Sequence, residues 1–401
     1  MAYQNVGTCR FYIDQFQYLK SKIGMEDLYD YISPDSFFPT TAQRNGGWHW
    51  VEENSYRFTS VAHPELFTLD PINRKELYKL GEHETYAYSC ILPTGFFGKQ
   101  DLSGDNVGRY VAILNHNLGI DSAFNCHSFW WEKGAASGEG STSISLAPIL
   151  NCETNEGQVV THNTGSTIYE FDKNGEGFNP PATMYPQYIW INFSNQNHDN
   201  YYPNLELGAL SYGIYYDMPN SADLDLTMTT EFDGAKSTQT LGGSTLTNTT
   251  YAGAPWWYDV DGNKVEPWAI GETNGIIKRN GRRTWKLNFS YISDENIFAS
   301  NYMSNNYLEP YSDNSDYNSE DMVLNSNNNP IDFEYTLEDD NSFVSQVLQK
   351  VGNGQRFIFQ PDNTNNNPDQ FAICVLDQDS LDIKQVAYKV YDISLKIKEV
   401  W

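Results

Sequence analysis

The chain has few basic residues. Lys and Arg together number 25 against 52 Asp and Glu, which gives 401 residues a formal charge of −27. Such a chain repels the phosphate backbone of nucleic acids, and no basic stretch is large enough to offset the repulsion. The composition therefore excludes sequence-specific reading of DNA or RNA. It remains compatible with a surface that DNA passes without sticking, because repulsion screened over about 8 Å acts across a narrow channel.

Cysteines are also few, and their spacing excludes two more classes of protein. The five are odd in number and far apart, with no CxxC pair: Cys9, Cys90, Cys126, Cys152 and Cys374. A dense disulfide framework and a zinc site both need closer pairs. We therefore expect reduced, mostly buried thiols, no bound metal and no other cofactor.

Long apolar runs are missing as well. The opening MAYQNVGTCRFYIDQFQYLK has no uninterrupted apolar stretch of the kind a signal peptide needs. Elsewhere no run approaches the ~20 residues of a membrane span. We therefore expect a soluble protein that is made in the cytosol and has no membrane span.

Aromatic and turn-forming residues are abundant. Aromatics make up 15% of the chain, with 28 Tyr and 21 Phe, and this composition favours antiparallel β-strands joined by polar turns. At this length we expect more than one compact unit. The strand patterns divide the chain into an N-terminal strand with a short helix, a strand-rich segment resembling a sandwich or jelly roll, and a C-terminal segment of longer strands, at 1–40, 41–220 and 221–401.

The C-terminal segment has the clearest periodicity. Residues 283–294 alternate, with Trp285, Leu287, Phe289 and Tyr291 on one face, and their predicted partner is the strand at 223–231. One helix is predicted after Asn341 or Ser342, ending at Gly352 and Gly354, and strands are predicted at 356–360, 371–377 and 390–397. The polar run 299–332 is predicted to be an acidic arm that lies on a neighbouring subunit.

Several stretches across nearly the whole chain resemble uncharacterised virion proteins of marine tailed bacteriophages. They are YQNVGTCRFYID, LELGALSYGIYYDMP, GRRTWKLNFSYISD, FIFQPDNTNNNPDQFAI and VYDISLKIKEVW. These motifs identify a family and carry no catalytic residue. The family often has Pro after VGT, where this chain has Cys9, so the geometry of the first turn departs from the family pattern.

Two finer resemblances imply an architecture. RYVAILNHNL, YIWINF and LELGALSYG resemble a discoidin-like jelly roll, and the strand–strand–helix–strand order of 223–401 resembles the barrel-plus-helix of tail-tube and tail-tip proteins. The resemblance therefore implies an all-β, mainly antiparallel protein. In it a jelly-roll sandwich is inserted into a tail-tube-like barrel with one packed helix, and residues 1–40 return to the C-terminal half.

The sequence contains no complete catalytic or metal-binding motif around the candidate residues. His116 follows a strand, but no GxSxG, HExxH or comparable pattern accompanies it, so we expect it to cap its own turn. DVDGN at 259–263 has calcium-loop spacing, yet the bidentate Glu that such a loop requires further on is absent. A hairpin turn is the predicted structure there.

Two clusters are candidates for binding. His127, Trp130 and Trp131 could stack on a sugar ring, although neighbouring strand residues face opposite ways, so at least one Trp would belong to the core or an interface. The basic cluster KRNGRR reads as a hairpin turn whose cations dock against carboxylates of a neighbouring copy, including those of the acidic arm: Lys278, Arg279, Arg282 and Arg283.

The sequence thus predicts a non-enzymatic structural protein of the virion, in the tail, tail tip or baseplate, that assembles into three-fold or six-fold rings with copies of itself and other virion proteins. Two alternatives stay open for the jelly-roll segment, an adhesin that binds host surface glycan and a capsid decoration protein. A polysaccharide hydrolase is a third alternative, but no pair among the 52 acidic residues stands out as catalytic.

Overall fold

The computed structural model describes a little under three fifths of the chain. The described residues are 7–18, 49–52, 58–59, 64–77, 88–93, 106–118, 122–132, 139–155, 158–161, 165–171, 184–195, 205–232, 235–249, 254–258, 263–269, 281–297, 342–352 and 354–401. The predicted arm at 299–332 and the basic residues Lys278 and Arg279 lie outside these ranges.

The described structure consists mainly of β-strands. Up to residue 217 they are β1 Arg10–Asp14, β2 His49–Glu52, β3 Phe58–Thr59, β4 Lys75–Leu77, β5 Tyr88–Pro93, β6 Val107–His116, β7 Ser122–Glu132, β8 Glu139–Ile144, β9 Leu146–Leu150, β10 Cys152–Asn155, β11 Gln158–Thr161, β12 Gly165–Phe171, β13 Met184–Asn195, β14 Leu205–Leu207 and β15 Ala209–Asp217. Beyond it they are β16 Thr227–Glu231, β17 Ala235–Gln239, β18 Thr245–Thr249, β19 Trp257–Tyr258, β20 Lys264–Val265, β21 Arg282–Ser293, β22 Phe357–Gln360, β23 Ala372–Leu376, β24 Ile383–Ala387 and β25 Val390–Glu399.

Helical segments are short. Residues 15–18 form one turn directly after β1, as predicted for the N-terminal segment. The other helices in the described ranges are 3-10 turns at Pro64–Phe67, Pro267–Ala269 and Pro368–Gln370, an α-turn at Asp294–Ile297, a π-helical segment at Val344–Leu348 and an α-helical end at Gln349–Val351. None of the described helices is long and apolar enough to span a bilayer.

The largest sheet has eleven strands, in the order β16-β21-β25-β23-β22-β1-β15-β6-β12-β9, with β24 added alongside β25. Its pairings are antiparallel, which confirms the mainly antiparallel all-β prediction. The order is an open path between β16 and β9, so the described strands do not close the predicted barrel. The predicted pairing of 223–231 with 283–294 is confirmed by β16 and β21.

Strand β1 joins the two halves of this sheet. It pairs with β15 on one side, where Phe11 lies opposite Tyr216, and with β22 on the other, where Phe11 lies opposite Phe359. Both faces of β1 are buried. One face packs Phe11 against Phe343 and Phe357, with ring centroids 5.8 Å apart in both cases. The sheet therefore takes strands from all three segments, 1–40, 41–220 and 221–401.

A second sheet belongs to the middle segment. Its eight strands follow the order β10-β11-β7-β13-β5-β2-β3, with β8 beside β7. Three separate pairs complete the described strands: β14 with β4, β17 with β18, and β19 with β20. In the last pair Tyr258 lies opposite Lys264, so the strands on either side of DVDGN pair antiparallel as a hairpin requires, while residues 259–262 of the turn lie outside the described ranges.

The predicted helix after Ser342 is confirmed, with a different winding. The Ser342 hydroxyl accepts a hydrogen bond from the Ser345 amide at 3.3 Å, as a capping residue does, and Asn341 lies outside the described residues. The helix then runs as a π-helix before its α-helical end. Val344 and Val347 are buried on its inner side and join the core cluster that contains Phe11.

One predicted core residue is exposed instead. Trp285, Leu287 and Phe289 are buried as expected, but the register of β21 against β25 shifts between Phe289 and Ile292. This bulge inserts Tyr291 with a φ of 60°, and Ile292 takes the buried position. Tyr291 is therefore 77% exposed, and its placement on the buried face was wrong.

Candidate interaction surface

Exposed apolar side chains gather in the C-terminal half. Among the described residues, the large hydrophobic side chains exposed to solvent are Leu224, Met228, Phe232, Leu241, Leu246, Tyr291, Val386 and Tyr388. The first five lie on or beside β16 and on the β17–β18 hairpin, and we call them the edge patch. The last three lie at the β21 bulge and at the end of β24, and we call them the turn patch.

The edge patch begins where the core face of the large sheet reaches its open edge. Met228 on β16 lies directly opposite Trp285 on β21. Directly opposed residues of an antiparallel pair project from the same face. Trp285 is 3% exposed while Met228 is 57% exposed. The apolar face that is buried at β21 thus continues to β16, where it is left largely uncovered.

The β17–β18 hairpin carries the other two members of the edge patch, Leu241 and Leu246. Its loop is closed by hydrogen bonds from the Thr240 amide to the Ser244 carbonyl and from the Gly243 amide to the Thr240 carbonyl, both 2.9 Å. Gly243 has a φ of 83°, a conformation that glycine adopts without strain. All eleven residues from 237 to 247 are exposed. Both faces of this part of the hairpin, with Leu241 and Leu246, are therefore open.

The predicted docking cation Arg283 is used inside the chain. Its Nε donates to Glu399 Oε2 at 3.0 Å and its Nη2 donates to Glu399 Oε1 at 2.9 Å. It also donates to the carbonyl oxygens of Asp369 and Phe371. The side chains of Arg283 and Glu399 are only 12% and 3% exposed. Their pairing ties β21 to the end of β25. The guanidinium of Arg283 is thus occupied within the chain and is not available to the carboxylate of a neighbouring copy.

Arg282 points to a different neighbour. Its guanidinium lies 5.0 Å from the ring centroid of Trp401, a cation–π contact within the chain. The structure thus places both described arginines of KRNGRR in intramolecular contacts. Lys278 and Arg279 belong to the part of the chain that is not described.

The predicted sugar-stacking residues lie on β7. His127 is opposite Trp190 of β13 and Ser143 of β8, while Trp130 is opposite Gly140 and Trp131 is opposite Glu139. These residues thus belong to a strand with a neighbour on each side. Their side chains fall outside the described part of the structure.

His116 belongs to a buried polar turn. Its Nε2 lies 3.0 Å from Thr167 Oγ1 on β12, so the imidazole bonds across the sheet, while the backbone of Leu118 in its own turn also contributes to its electrostatics. Burial, and then the positive charge of Arg74, lower the pKa of His116 to about 3. The imidazole is therefore neutral at physiological pH. A neutral, enclosed histidine in this setting holds strands together.

Asn115, the neighbouring residue, joins this turn to two other segments of the chain. With a φ of 50°, it donates from Nδ2 to the Pro71 carbonyl at 2.5 Å. Its Oδ1 accepts from Arg74 Nε and from the Tyr258 amide, both at 3.0 Å. Arg74 also donates to the His116 carbonyl at 2.9 Å. Arg74 was missed by the sequence reasoning because it is 41 residues away from Asn115.

Two further buried charged groups stabilise β1. Arg10 donates to both carboxylate oxygens of Asp217, at 2.6 and 2.7 Å, and lies 4.0 Å from the Tyr215 ring centroid. At the other end of the strand, Asp14 Oδ1 accepts from the amides of Phe16 and Gln17, both at 2.8 Å. Asp14 Oδ2 has no hydrogen-bond partner, and burial raises the pKa of Asp14 to about 7.

A shallow cleft lies at the end of the chain. Trp257, Trp268 and Trp401 line it together with Glu399 and three prolines. Its volume of about 20 Å³ is room for roughly one water molecule, which is too small for a sugar ring. Among the described residues no three His, Cys, Asp or Glu side chains converge on a point that could hold a metal ion.

No family model matches the chain, and no similar curated protein or solved structure was found in comparisons with known proteins.

Proposed function

We propose that the chain is a non-enzymatic structural subunit of a tailed-phage virion, in the tail or its tip, that assembles with copies of itself into three-fold or six-fold rings. The observation that carries this proposal is the edge patch. Five large apolar side chains are exposed, three of them at or beside one open sheet edge and two on one hairpin. Apolar side chains left exposed at an unpaired sheet edge are typical of a contact site for another protein.

In the proposed architecture the two ends of the chain have different tasks. The strands of 221–401, together with β1, form a tail-tube-like half that makes the ring contacts. The strands of 41–220 form a discoidin-like jelly roll that projects outward and contacts other virion proteins. The sharing of β1 between β15 and β22 supports a rigid connection between the two halves.

The buried polar groups support a structural role. Arg283 with Glu399, Arg10 with Asp217, and Asn115 with Arg74 each join strands that are far apart in sequence. Each ionised group is directed at a partner inside the protein rather than at a cavity. The geometry is that of crosslinks within the fold.

The proposal is tested with the purified full-length chain. Light scattering coupled to size exclusion, from about 1 to 200 µM, and electron microscopy of negatively stained particles should detect oligomers and rings. The same measurements are repeated with neighbouring virion proteins present. Monomers under all of these conditions would overturn the proposed function.

A further inference from the structure

The exposed hairpin lies in a long stretch of the chain that has no acidic residue. Between Asp233 and Asp259 no acidic residue occurs, and Lys236 is the one charged residue of this stretch. It is the longest stretch without Asp or Glu in a chain whose net charge is −27. The β17–β18 hairpin lies inside it. The hairpin is therefore the element that can approach another copy of this acidic protein with the least repulsion.

The hairpin is not stabilised by burial. It is held by its own strand pairing and by hydrogen bonds within the loop, together with a 3.2 Å contact between the Ser237 and Thr247 hydroxyls. A two-stranded hairpin exposed on both faces is only marginally stable in water. Leu241 and Leu246 are 111% and 62% exposed. In an isolated copy they therefore add little hydrophobic stabilisation to the fold. Both features are explained if the hairpin is completed by another molecule.

The open edge offers the complementary surface. Strand β16 ends the sheet order, and its only described pairing is with β21. Its sequence TMTTE has no proline or lysine to prevent further pairing. At the opposite end of the sheet, β9 carries Pro148 in its middle, and proline cannot donate a ladder hydrogen bond. The sheet is therefore open to extension at β16 and protected at β9.

We propose that the β17–β18 hairpin of one copy pairs along the β16 edge of the next copy, so that Leu241 and Leu246 cover Met228. This inference rests on the proposed function and names the contact that builds the ring. Hairpin and edge are different elements of the same chain, so one copy can offer its edge to one neighbour and its hairpin to the next, and such head-to-tail contacts close into rings when the rotation between copies allows it.

The size of the contact sets its strength. The hairpin contributes the fifteen residues 235–249 and the edge the nine residues 224–232. A standard interface uses about 20–30 residues a side, so this contact is at the small end and should be reversible. Apolar pairing between like-charged molecules strengthens as salt screens the repulsion. Docking of cations on acidic residues would instead weaken with salt.

Cross-linking tests the geometry. Thr229→Cys on β16 and Thr247→Cys on β18 are made as separate full-length variants, one with a size tag, and mixed with a short bismaleimide. We expect tagged–untagged dimers from the mixture and few dimers from either variant alone. Lys384→Cys, on exposed strand β24, is the matched control, and wild type reports the background from native thiols. Self-linking of Thr229→Cys would mean that two β16 edges meet, which overturns the head-to-tail contact.

Assembly tests the energetics. Leu241→Ser/Leu246→Ser should weaken self-association by at least about tenfold, since two apolar side chains lose their cover. Tyr388→Ser, which removes an equally exposed side chain from the turn patch, should leave it unchanged. Association should also strengthen between 50 and 500 mM NaCl. If wild type and the double Ser variant assemble equally, the hairpin inference fails and the ring proposal stands. If wild type stays monomeric, both fail.

Discussion

Replacing Arg283 with methionine removes the cation from the buried ion pair with Glu399 and leaves the carboxylate in place. Arg283→Met keeps an apolar stem but removes the two side-chain hydrogen bonds to the carboxylate and the donors to two backbone carbonyls. Glu399, 3% exposed, is left as a buried charge without its cation, although the Arg283 amide still donates to it. Leaving one member of a buried pair unpaired costs about 3–5 kcal/mol.

This loss should be visible in thermal unfolding. At about 2 °C per kcal/mol for a large domain, Tm should fall by roughly 6–10 °C. The assay is differential scanning fluorimetry of full-length protein, supported by urea unfolding followed by tryptophan fluorescence. Lys398→Met, which breaks the pair with Glu231 on the outer face of the same sheet, is the control and should leave Tm unchanged.

A double variant shows whether the cost comes from the stranded charge. Arg283→Met/Glu399→Met removes both charges and should recover at least half of the stability that Arg283→Met loses, because an apolar pair of similar volume is often as stable as a buried ion pair. Two results would refute the reasoning. One is a fall of less than about 2 °C for Arg283→Met; the other is a double variant as unstable as the sum of the two single ones.

Two further changes test other parts of the fold. Because burial raises the pKa of Asp14 from 3.8 to about 7, the folded state holds a proton in that window which the unfolded state releases, so this residue makes stability fall as pH rises. The free energy of unfolding of Asp14→Asn should rise relative to that of wild type by about 1.4 kcal/mol per pH unit between pH 4 and 7. Urea unfolding at several pH values measures this difference, and a difference that does not change with pH would contradict the prediction. A Cβ at Gly213 would collide with the Ile13 carbonyl oxygen, so Gly213→Ala should unfold at a Tm several degrees lower, or fail to fold. Gly242→Ala, which meets nothing within 4 Å, should match wild type in the same melting experiment.

The long strands of the C-terminal half could be predicted because their alternation is local. In β21 the apolar residues recur at every second position, and this period alone assigns a strand and a buried face. The same period identifies the partner β16. It cannot reveal the bulge at Tyr291, because the apolar pattern continues through it and the register shift depends on β25, about a hundred residues later.

The buried polar contacts could not be predicted for a similar reason. Arg283 looks like part of a surface cation cluster, and its partner Glu399 is 116 residues away. Arg74 likewise contacts the His116 carbonyl oxygen only because the chain folds back on itself, and no sequence pattern at either residue predicts the other. The hairpin is different. Its long acid-free stretch was readable from the residues alone, but its meaning depends on the exposure of both hairpin faces.

These observations together explain how an acidic chain can associate with itself. Charge of one sign spread over a surface keeps copies apart at distances beyond contact, and screening reduces this over about 8 Å in physiological salt. Attraction must therefore come from short-range terms at a place where the charge is low. The hairpin supplies the low charge, and the hairpin and the β16 edge together supply the short-range attraction, through backbone pairing and through Leu241, Leu246 and Met228. The negative charge of the remaining surface then makes the contact specific, because repulsion disfavours any association that does not use the low-charge hairpin.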